Sequence, residues 1–126
     1  MATSDAVANL ILDRYLGTSA EFFGRYMSLH TADPGGNGAN EVALTGYSRD
    51  NVGSAWGTAA ARTLTNTAAI GPFSASAGAD VTVTHIGFWS GSGGGTFICS
   101  VQLDTPITFG VGSPVNFAIG AVSVTA

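Results

Sequence analysis

The chain has 126 residues, of which 45% are hydrophobic and only 10% are charged. This length suffices for one domain that buries its own core, and a single cysteine rules out an intramolecular disulfide. The formal net charge is -4, with four arginines and no lysine, which argues against nucleic acid or an anionic membrane as partner because both require a basic patch.

The N-terminal region predicts one helix over about residues 5–16. Ser4 or Asp5 is suited to cap it, and Gly17 is suited to end it. Its apolar positions recur at helical spacing: Ala8, Ile11, Leu12, Tyr15 and Leu16. A helix this short needs a docking surface, either its own sheet or a neighbouring subunit.

From residue 25 onward the pattern is that of short β-strands separated by turns. We predict strands at residues 25–31, around Tyr47, and at 63–70, 81–89, 96–103, 105–109, 115–119 and 122–124. Gly71-Pro72 is expected to end the strand at 63–70, and 105–109 is expected to pair with 115–119. Residues 32–40 and 90–95 have the composition of loops.

These elements predict a mainly β fold. Short strands with frequent turns are typical of an antiparallel β-sandwich, jelly-roll-like, or of a barrel. We expect one domain over residues 1–126, with the helix at about 5–16 and the sandwich at about 25–126. The sequence shows no signal peptide and no membrane span, so we expect the chain to be made and folded in a cytoplasm.

Few residues have the pattern of a catalytic or metal site. His30 and His85 each lie in a predicted strand without a second ligand at a metal-binding spacing, and we expect them to bond a loop backbone or to face a subunit contact. The oxygen-rich loop after Thr31 does not match a calcium-binding pattern. We therefore expect no metal, no cofactor and no enzymatic activity.

The aromatic residues allow one alternative, a carbohydrate site. Tyr47 and Trp56 are its candidate ligand residues, while Trp89 is expected in the core because it lies on the strongest predicted strand. Cys99 lies in an apolar run and is expected to be a small buried side chain rather than a reactive thiol.

Several segments together resemble a family of small tailed-phage virion structural proteins, the tail-fibre or virion accessory proteins. The segments are residues 4–13, 26–35, 38–42, 46–49, 83–89 and 117–124. The most specific of them is the run Ser-Leu-His-Thr-Ala-Asp-Pro-Gly at residues 28–35. The resemblance implies a β-rich component of a virion and supplies no catalytic or ligand-binding residue.

Taken together, we expect a non-enzymatic virion protein, a capsid decoration or fibre/spike-base accessory protein that is assembled in the host cytoplasm. The alternative is a tail-fibre adaptor or a carbohydrate-binding module for host attachment. Expected partners are other virion proteins, either the major capsid protein or tail and fibre proteins. Because so few charges cover the surface, we also expect a homo-oligomer, with a trimer favoured. The candidate interface residues are Leu10, Ile11, Tyr15, Asp33, Asn37, Ser92 and Gly94.

Overall fold

A computed structural model describes residues 8–9, 11–13 and 25–125. Within these residues lie eight strands, and all of their pairings are antiparallel. The strands are β1 Tyr26–His30, β2 Asp50–Asn51, β3 Thr63–Thr65, β4 Ile70–Phe73, β5 Val81–Trp89, β6 Phe97–Phe109, β7 Val115–Phe117 and β8 Ser123–Thr125. The mainly β, antiparallel fold expected from the sequence is confirmed.

Three sheets surround one apolar core. The largest has four strands in the order β2-β1-β5-β6, and the pairs β3-β8 and β4-β7 form two smaller sheets. The arrangement is sandwich-like, and the described strands form no closed barrel. Met27, Leu29 and Phe88 from the large sheet meet Leu64 and Phe73 from the smaller ones, all at 2% exposure or less.

The second face of the large sheet is also buried along β1. Ser28 and His30 alternate with Met27 and Leu29 along β1, yet they too are 0% exposed. A strand that is polar on one face normally presents that face to water. Another segment of the chain must therefore cover this face along β1.

Several predicted strand bounds are wrong. Residues around Tyr47 form a turn and not a strand. The Tyr47 ring packs against Phe73 and Phe109, and its hydroxyl bonds to Glu41 and Leu29. The strand predicted at 63–70 is two strands, β3 and β4, and Gly71-Pro72 lies inside β4. The chain changes direction between β3 and β4 at the buried Asn66, whose side-chain Nδ2 donates to the carbonyl of Ala68 at 2.9 Å.

The largest difference between the predicted and the observed strands lies in the C-terminal half of the chain. The strands predicted at 96–103 and 105–109 are one strand, β6, and the partner of β7 is β4. Pro106 does not interrupt β6, because β6 lies at the edge of its sheet, where a missing backbone N–H is tolerated.

The described helical residues dock on the chain's own β region. Ala8 and Leu12, four positions apart, are 0% and 4% exposed, whereas Ile11 is 44% exposed. Asp13 Oδ1 accepts a hydrogen bond from the backbone N–H of Ala59 at 2.7 Å, and a second contact of this kind joins Asn9 Oδ1 to Arg62 N at 2.7 Å. No helix among the described residues is long and apolar enough to cross a membrane.

Candidate interaction surface

Two neighbouring loops form the most distinctive surface of the described residues. We call residues 31–40 and 90–95 together the loop face. Most of these residues are exposed, and Asp33 is the only charged one among them. The remaining residues are Gly, Ser, Asn, Thr, Ala and one Pro. A nearly uncharged, solvent-facing patch of this kind suits contact with another protein rather than with an ion.

The first loop is shaped by its own turn chemistry. Asp33 Oδ1 accepts from the backbone N–H of Gly35 at 2.9 Å, which is an Asx turn. Ala39 N donates to the carbonyl of Pro34 at 2.9 Å, and Asn40 Nδ2 donates to the carbonyl of Asp33 at 3.1 Å. These bonds within residues 33–40 give Asp33 and Asn40 a structural role in shaping the loop.

The second loop is closed at its base and held from outside. Ser90 N donates to the carbonyl of Thr96 at 3.0 Å, and Thr96 N donates back to Ser90 Oγ at 2.8 Å. Arg49 Nη1 donates to the carbonyls of Gly91 and Gly94, both at 2.9 Å. Although all six residues in this tip are Gly or Ser, an arginine fixes its backbone.

Arg49 is itself fixed by a planar ion pair. Its Nε and Nη2 donate to the two carboxylate oxygens of Glu41 at 2.9 and 2.8 Å, the two-bond geometry that only a guanidinium provides. The Arg49 side chain is 8% exposed and that of Glu41 is 22% exposed. The guanidinium carbon lies 3.8 Å from the ring centroid of Trp89, a cation–π contact.

Tyr47 completes the environment of Glu41. Its hydroxyl donates to Glu41 Oε2 at 2.9 Å and accepts from the backbone N–H of Leu29 at 2.9 Å. Burial acts to raise the pKa of Glu41, but the hydrogen bonds from Arg49 and Tyr47 outweigh it and hold that pKa below its usual value. Burial also raises the pKa of Tyr47, so this hydroxyl remains protonated and able to donate.

A second chain of hydrogen bonds runs beneath the loop face. Trp89 Nε1 donates to Ser28 Oγ at 2.8 Å, and Ser28 Oγ lies 2.6 Å from His30 Nε2. His30 Nδ1 lies 2.8 Å from the carbonyl oxygen of Ala39. Because a carbonyl only accepts, Nδ1 carries the proton, and Nε2 accepts from the Ser28 hydroxyl. Burial lowers the pKa of His30, in agreement with this neutral ring.

Ser28 Oγ and His30 Nε2 lie as close together as a catalytic serine and its general base, but their surroundings do not suit catalysis. Both side chains are 0% exposed, so no substrate can reach them in this fold. The Ser28 oxygen is also engaged by Trp89, and both ring nitrogens of His30 are occupied. A catalytic serine must be accessible to the group that it attacks. This pair is therefore structural, and it bears out the expectation that His30 bonds a loop backbone.

Close packing joins the two loops into one surface. A Cβ atom at Gly38 would collide with the indole ring of Trp89 and would lie 3.0 Å from the ring of Phe97. Phe97 also meets the Trp89 ring edge-on at a centroid distance of 5.1 Å and the His30 ring at 6.3 Å. The first loop thus folds back over the second face of the large sheet and rests beside the tip formed by residues 90–95.

The predicted interface residues fall into two groups. Asp33, Asn37, Ser92 and Gly94 all lie exposed on the loop face. Ile11 is exposed on the helical segment, whereas Leu10 and Tyr15 lie outside the described residues. All four loop candidates are therefore accessible to solvent, as an interface would require.

The candidate sugar-binding aromatics do not form a platform. Trp56 is 2% exposed and packs against Phe88 at a centroid distance of 5.8 Å, so its ring belongs to the core, which corrects that expectation. Tyr47 is half-buried, with its ring stacked on Phe73 and its hydroxyl engaged by Glu41 and Leu29. A sugar platform requires exposed ring faces.

Trp89, by contrast, is buried as expected at 9% exposure, although it lies on the second face of the sheet. Burial raises the pKa of the Cys99 thiol to about 11, which keeps it protonated and unreactive at neutral pH. In the part of the chain that the structure describes, no three His, Cys, Asp or Glu residues come together as a metal site would require.

Sequence reasoning missed Arg49, which bonds the second loop at Gly91 and Gly94 and pairs with Glu41 directly after the first loop. The available signal was its rarity, since the chain has only four basic residues and this one follows a tyrosine and a turn glycine. Its partners Glu41, Gly91 and Trp89 are 8 to 42 positions away in the sequence. Such contacts can be recognised only once the strands are placed.

A small antiparallel β fold, with a nearly uncharged loop surface above a buried polar network, places the chain in the class of small β-rich modules. The comparison with known families agrees with this class: the family model for the podophage GP4 fiber I protein gp80 matches residues 2–125. The chain belongs to this family of phage virion structural proteins. No curated protein matches the chain.

Proposed function

We propose that this chain is a non-enzymatic accessory protein of the phage fibre, and that it acts by binding other virion proteins through the loop face. The observation that carries the proposal is that one arginine holds the backbone of an exposed tip, residues 90–95, which consists of glycine and serine. Arg49 fixes the tip at two carbonyls while it pairs with Glu41 and stacks on Trp89. Pre-organisation of this kind reduces the entropic cost of forming an interface.

The family description names a fibre protein, which supports a place in a fibre. Within that fibre we propose a position at the base of the fibre or spike, with capsid decoration as the alternative. An adaptor between fibre and tail is the related possibility, and it uses the same surface. Attachment to a host glycan has less support, because Trp56 is buried and Tyr47 is engaged internally.

The test is incorporation into virions. A phage lacking its own copy of the gene is complemented with Asn37→Arg/Ser92→Arg, and the control is Ser54→Arg, an exposed turn residue that belongs to neither loop. We expect the double variant to fold normally and to be reduced at least tenfold in purified particles, since two buried charges oppose an interface. Normal incorporation of the double variant would exclude the loop face as the contact surface.

Fractionation distinguishes the positions. Isolated tails with their fibres are expected to keep the chain, and tailless capsids are expected to lack it. Retention by the tailless capsids would instead identify a capsid decoration protein.

A further inference from the structure

The only two histidines of the chain lie side by side on the large sheet. His30 on β1 pairs directly with His85 on β5. Residues in direct register on antiparallel strands point to the same face, with Cβ atoms about 4.5–5.5 Å apart. His30 is 0% exposed, whereas the neighbouring His85 is half-buried. Histidine is the side chain whose charge changes near neutral pH, so this pair is suited to respond to mild acid.

The first loop, residues 31–40, keeps water away from His30. The carbonyl of Ala39 in this loop accepts from His30 Nδ1 at 2.8 Å. On the sheet below, a Cβ at Gly87 would lie only 2.7 Å from His30 Nε2. The ring of Phe97 makes a T-shaped contact with the imidazole at a centroid distance of 6.3 Å. The imidazole is therefore enclosed between the loop and its own sheet.

The hydrogen bonds of His30 suit only the neutral ring. Nε2 accepts from the Ser28 hydroxyl at 2.6 Å, and Ser28 Oγ accepts from Trp89 Nε1 at 2.8 Å. A proton on Nε2 makes both ring nitrogens donors. Ser28 Oγ then faces two donors, and its own hydroxyl proton loses its acceptor. Since a buried charge and an unpaired buried donor are both costly, the protonated ring favours an arrangement that admits water.

Few contacts hold the first loop on the sheet. Pro34 is the only one of its residues that is buried. Besides the bond from His30, the backbone N–H of Thr31 donates to the carbonyl of Asn40 at 3.0 Å and closes the loop at its base. The bonds within residues 33–40 hold the loop in its own shape. A segment with so few buried apolar contacts opens at a lower free energy than the core does.

We propose that His30 and His85 form an acid-sensitive switch: protonation of His30 releases the first loop from the large sheet, and the charge of His85 beside it adds to the release. This inference goes beyond the proposed function, because the switch is a property of the isolated chain. One consequence, a weaker contact of the loop face with its partner in mild acid, does rest on the proposed function.

The charges around His30 act in both directions. The charged and titratable groups on the elements packed against it are Asp33, Glu41, Tyr47, Arg49, His85 and Asp104. Burial is the main cause that lowers the pKa of His30. The bond to the Ala39 carbonyl and the charge of Glu41 oppose this shift, whereas the charges of Arg49 and His85 add to it.

The switch operates between pH 6.5 and the lowered pKa of the enclosed ring. When the loop leaves, water returns the pKa of His30 towards its ordinary 6.5. The released form then binds a proton more readily than the closed form, so its population is lowest above pH 6.5 and rises as the pH falls. Glu41 does not titrate in this range. Despite its burial, the hydrogen bonds from Arg49 and Tyr47 hold the pKa of Glu41 below 4.5.

The test compares how fast the two indole N–H protons exchange with water. Trp89 lies against Gly38 of the first loop, whereas Trp56 belongs to the core. The first therefore reports release of the loop, and the second reports unfolding of the whole chain. NMR measures both rates on the isolated chain at about pH 7.5 and about pH 5.5, with correction for the intrinsic effect of pH on exchange.

We expect the protection of Trp89 to fall about fivefold or more towards the lower pH, within the limit of about tenfold per pH unit that one proton sets. Trp89 should exchange at least about tenfold faster than Trp56 at each pH, because release of a loop costs less than global unfolding. Low urea concentrations should accelerate Trp56 strongly and Trp89 little, since the loop exposes less surface when it opens.

Two variants assign the effect. His30→Gln keeps a donor and an acceptor for the two bonds of the ring but cannot take up a proton, and we expect it to abolish the pH dependence. His85→Gln removes the neighbouring charge, and we expect it to reduce the fivefold change to about threefold or less. Because His30 is fully buried, urea unfolding checks that His30→Gln is folded, and His85→Gln tests the pair at a partly exposed position.

Three outcomes would overturn the proposal: protection of wild-type Trp89 that does not depend on pH, the wild-type dependence in either variant, or equal exchange rates of Trp89 and Trp56. Each of them is measured without any virion protein. Failure of the switch is therefore distinguishable from failure of the loop face in the incorporation test.

Discussion

The guanidinium of Arg49 lies over the indole ring of Trp89, with 3.8 Å between its central carbon and the ring centroid. The same guanidinium bonds Glu41 and two carbonyls of the glycine-rich tip. Through Trp89 it is connected to the buried pair of Ser28 and His30. One cation thus joins a surface loop to the interior of the sheet.

Removal of the arginine should destabilise the protein. We expect Arg49→Ala to lower the free energy of unfolding by about 2–3 kcal/mol, because it leaves the carboxylate of a largely buried pair without its partner. Arg49→Lys keeps the charge but not the planar fork, and we expect it to recover only part of the loss. Urea unfolding of both variants measures this. Equal stability of Arg49→Lys and wild type would show that charge alone is sufficient.

Gly38 should tolerate no side chain. Its backbone has φ 77°, and a Cβ would collide with the ring of Trp89. We expect Gly38→Ala to cost about 2–4 kcal/mol from the left-handed backbone and overpacking together. Gly35→Ala is the matched control, because Gly35 also has a positive φ, 63°, but a Cβ there meets nothing within 4 Å, so it should cost only the backbone part of the loss. A similar loss in both variants would contradict the packing of the loop on Trp89.

His30 should make stability depend on pH in the mildly acidic range. Burial lowers its pKa below the ordinary 6.5, so the unfolded chain takes up a proton before the folded chain does. Its contribution is complete above pH 6.5 and declines as the pH falls from 6.5 towards the folded pKa. Unfolding free energies measured through this window should decline in the wild type and less so in His30→Gln. An identical decline in both would exclude His30 as the source.

Glu41 should act in a more acidic range. Against the opposing effect of burial, Arg49 and Tyr47 hold its pKa below the ordinary 4.5. Its contribution is therefore present above pH 4.5 and is lost as the pH falls through the folded pKa. Acid unfolding followed by tryptophan fluorescence should show a steeper loss below pH 4.5 in the wild type than in Glu41→Gln. A variant curve parallel to the wild type would refute this.

Asn66 should be as important as an apolar core residue. It is 1% exposed, donates to the carbonyls of Ala68 and Ala118 at 2.9 Å, and accepts from Val122 N at 2.9 Å. Asn66→Ala leaves buried backbone groups unpaired, for which we expect a loss of about 2–3 kcal/mol. The exposed Asn116→Ala should change stability by less than about 0.5 kcal/mol. Thermal and urea unfolding compare the two.

Sequence reasoning succeeded where the signal is local. Apolar and polar alternation predicted β1 and β5, and glycine-rich composition predicted the tip between β5 and β6. Sequence reasoning did not predict the turn of residues 60–63. Ala61 and Arg62 have φ of 50° and 64° there, although neither is a glycine or an asparagine. The contact from Asn9 to the N–H of Arg62 helps to hold this unfavourable backbone, and Asn9 is 53 positions away.

The sequence by itself determined a small antiparallel β protein of low charge with two polar loops, because strand alternation and turn chemistry depend on neighbouring residues. The tertiary structure decided that the first loop packs on Trp89, that Arg49 holds the second loop, that Trp56 is core and that no described strand pairs with the outer edge of β6. Each of these depends on which strands pair and in which register, and local composition constrains that choice only weakly.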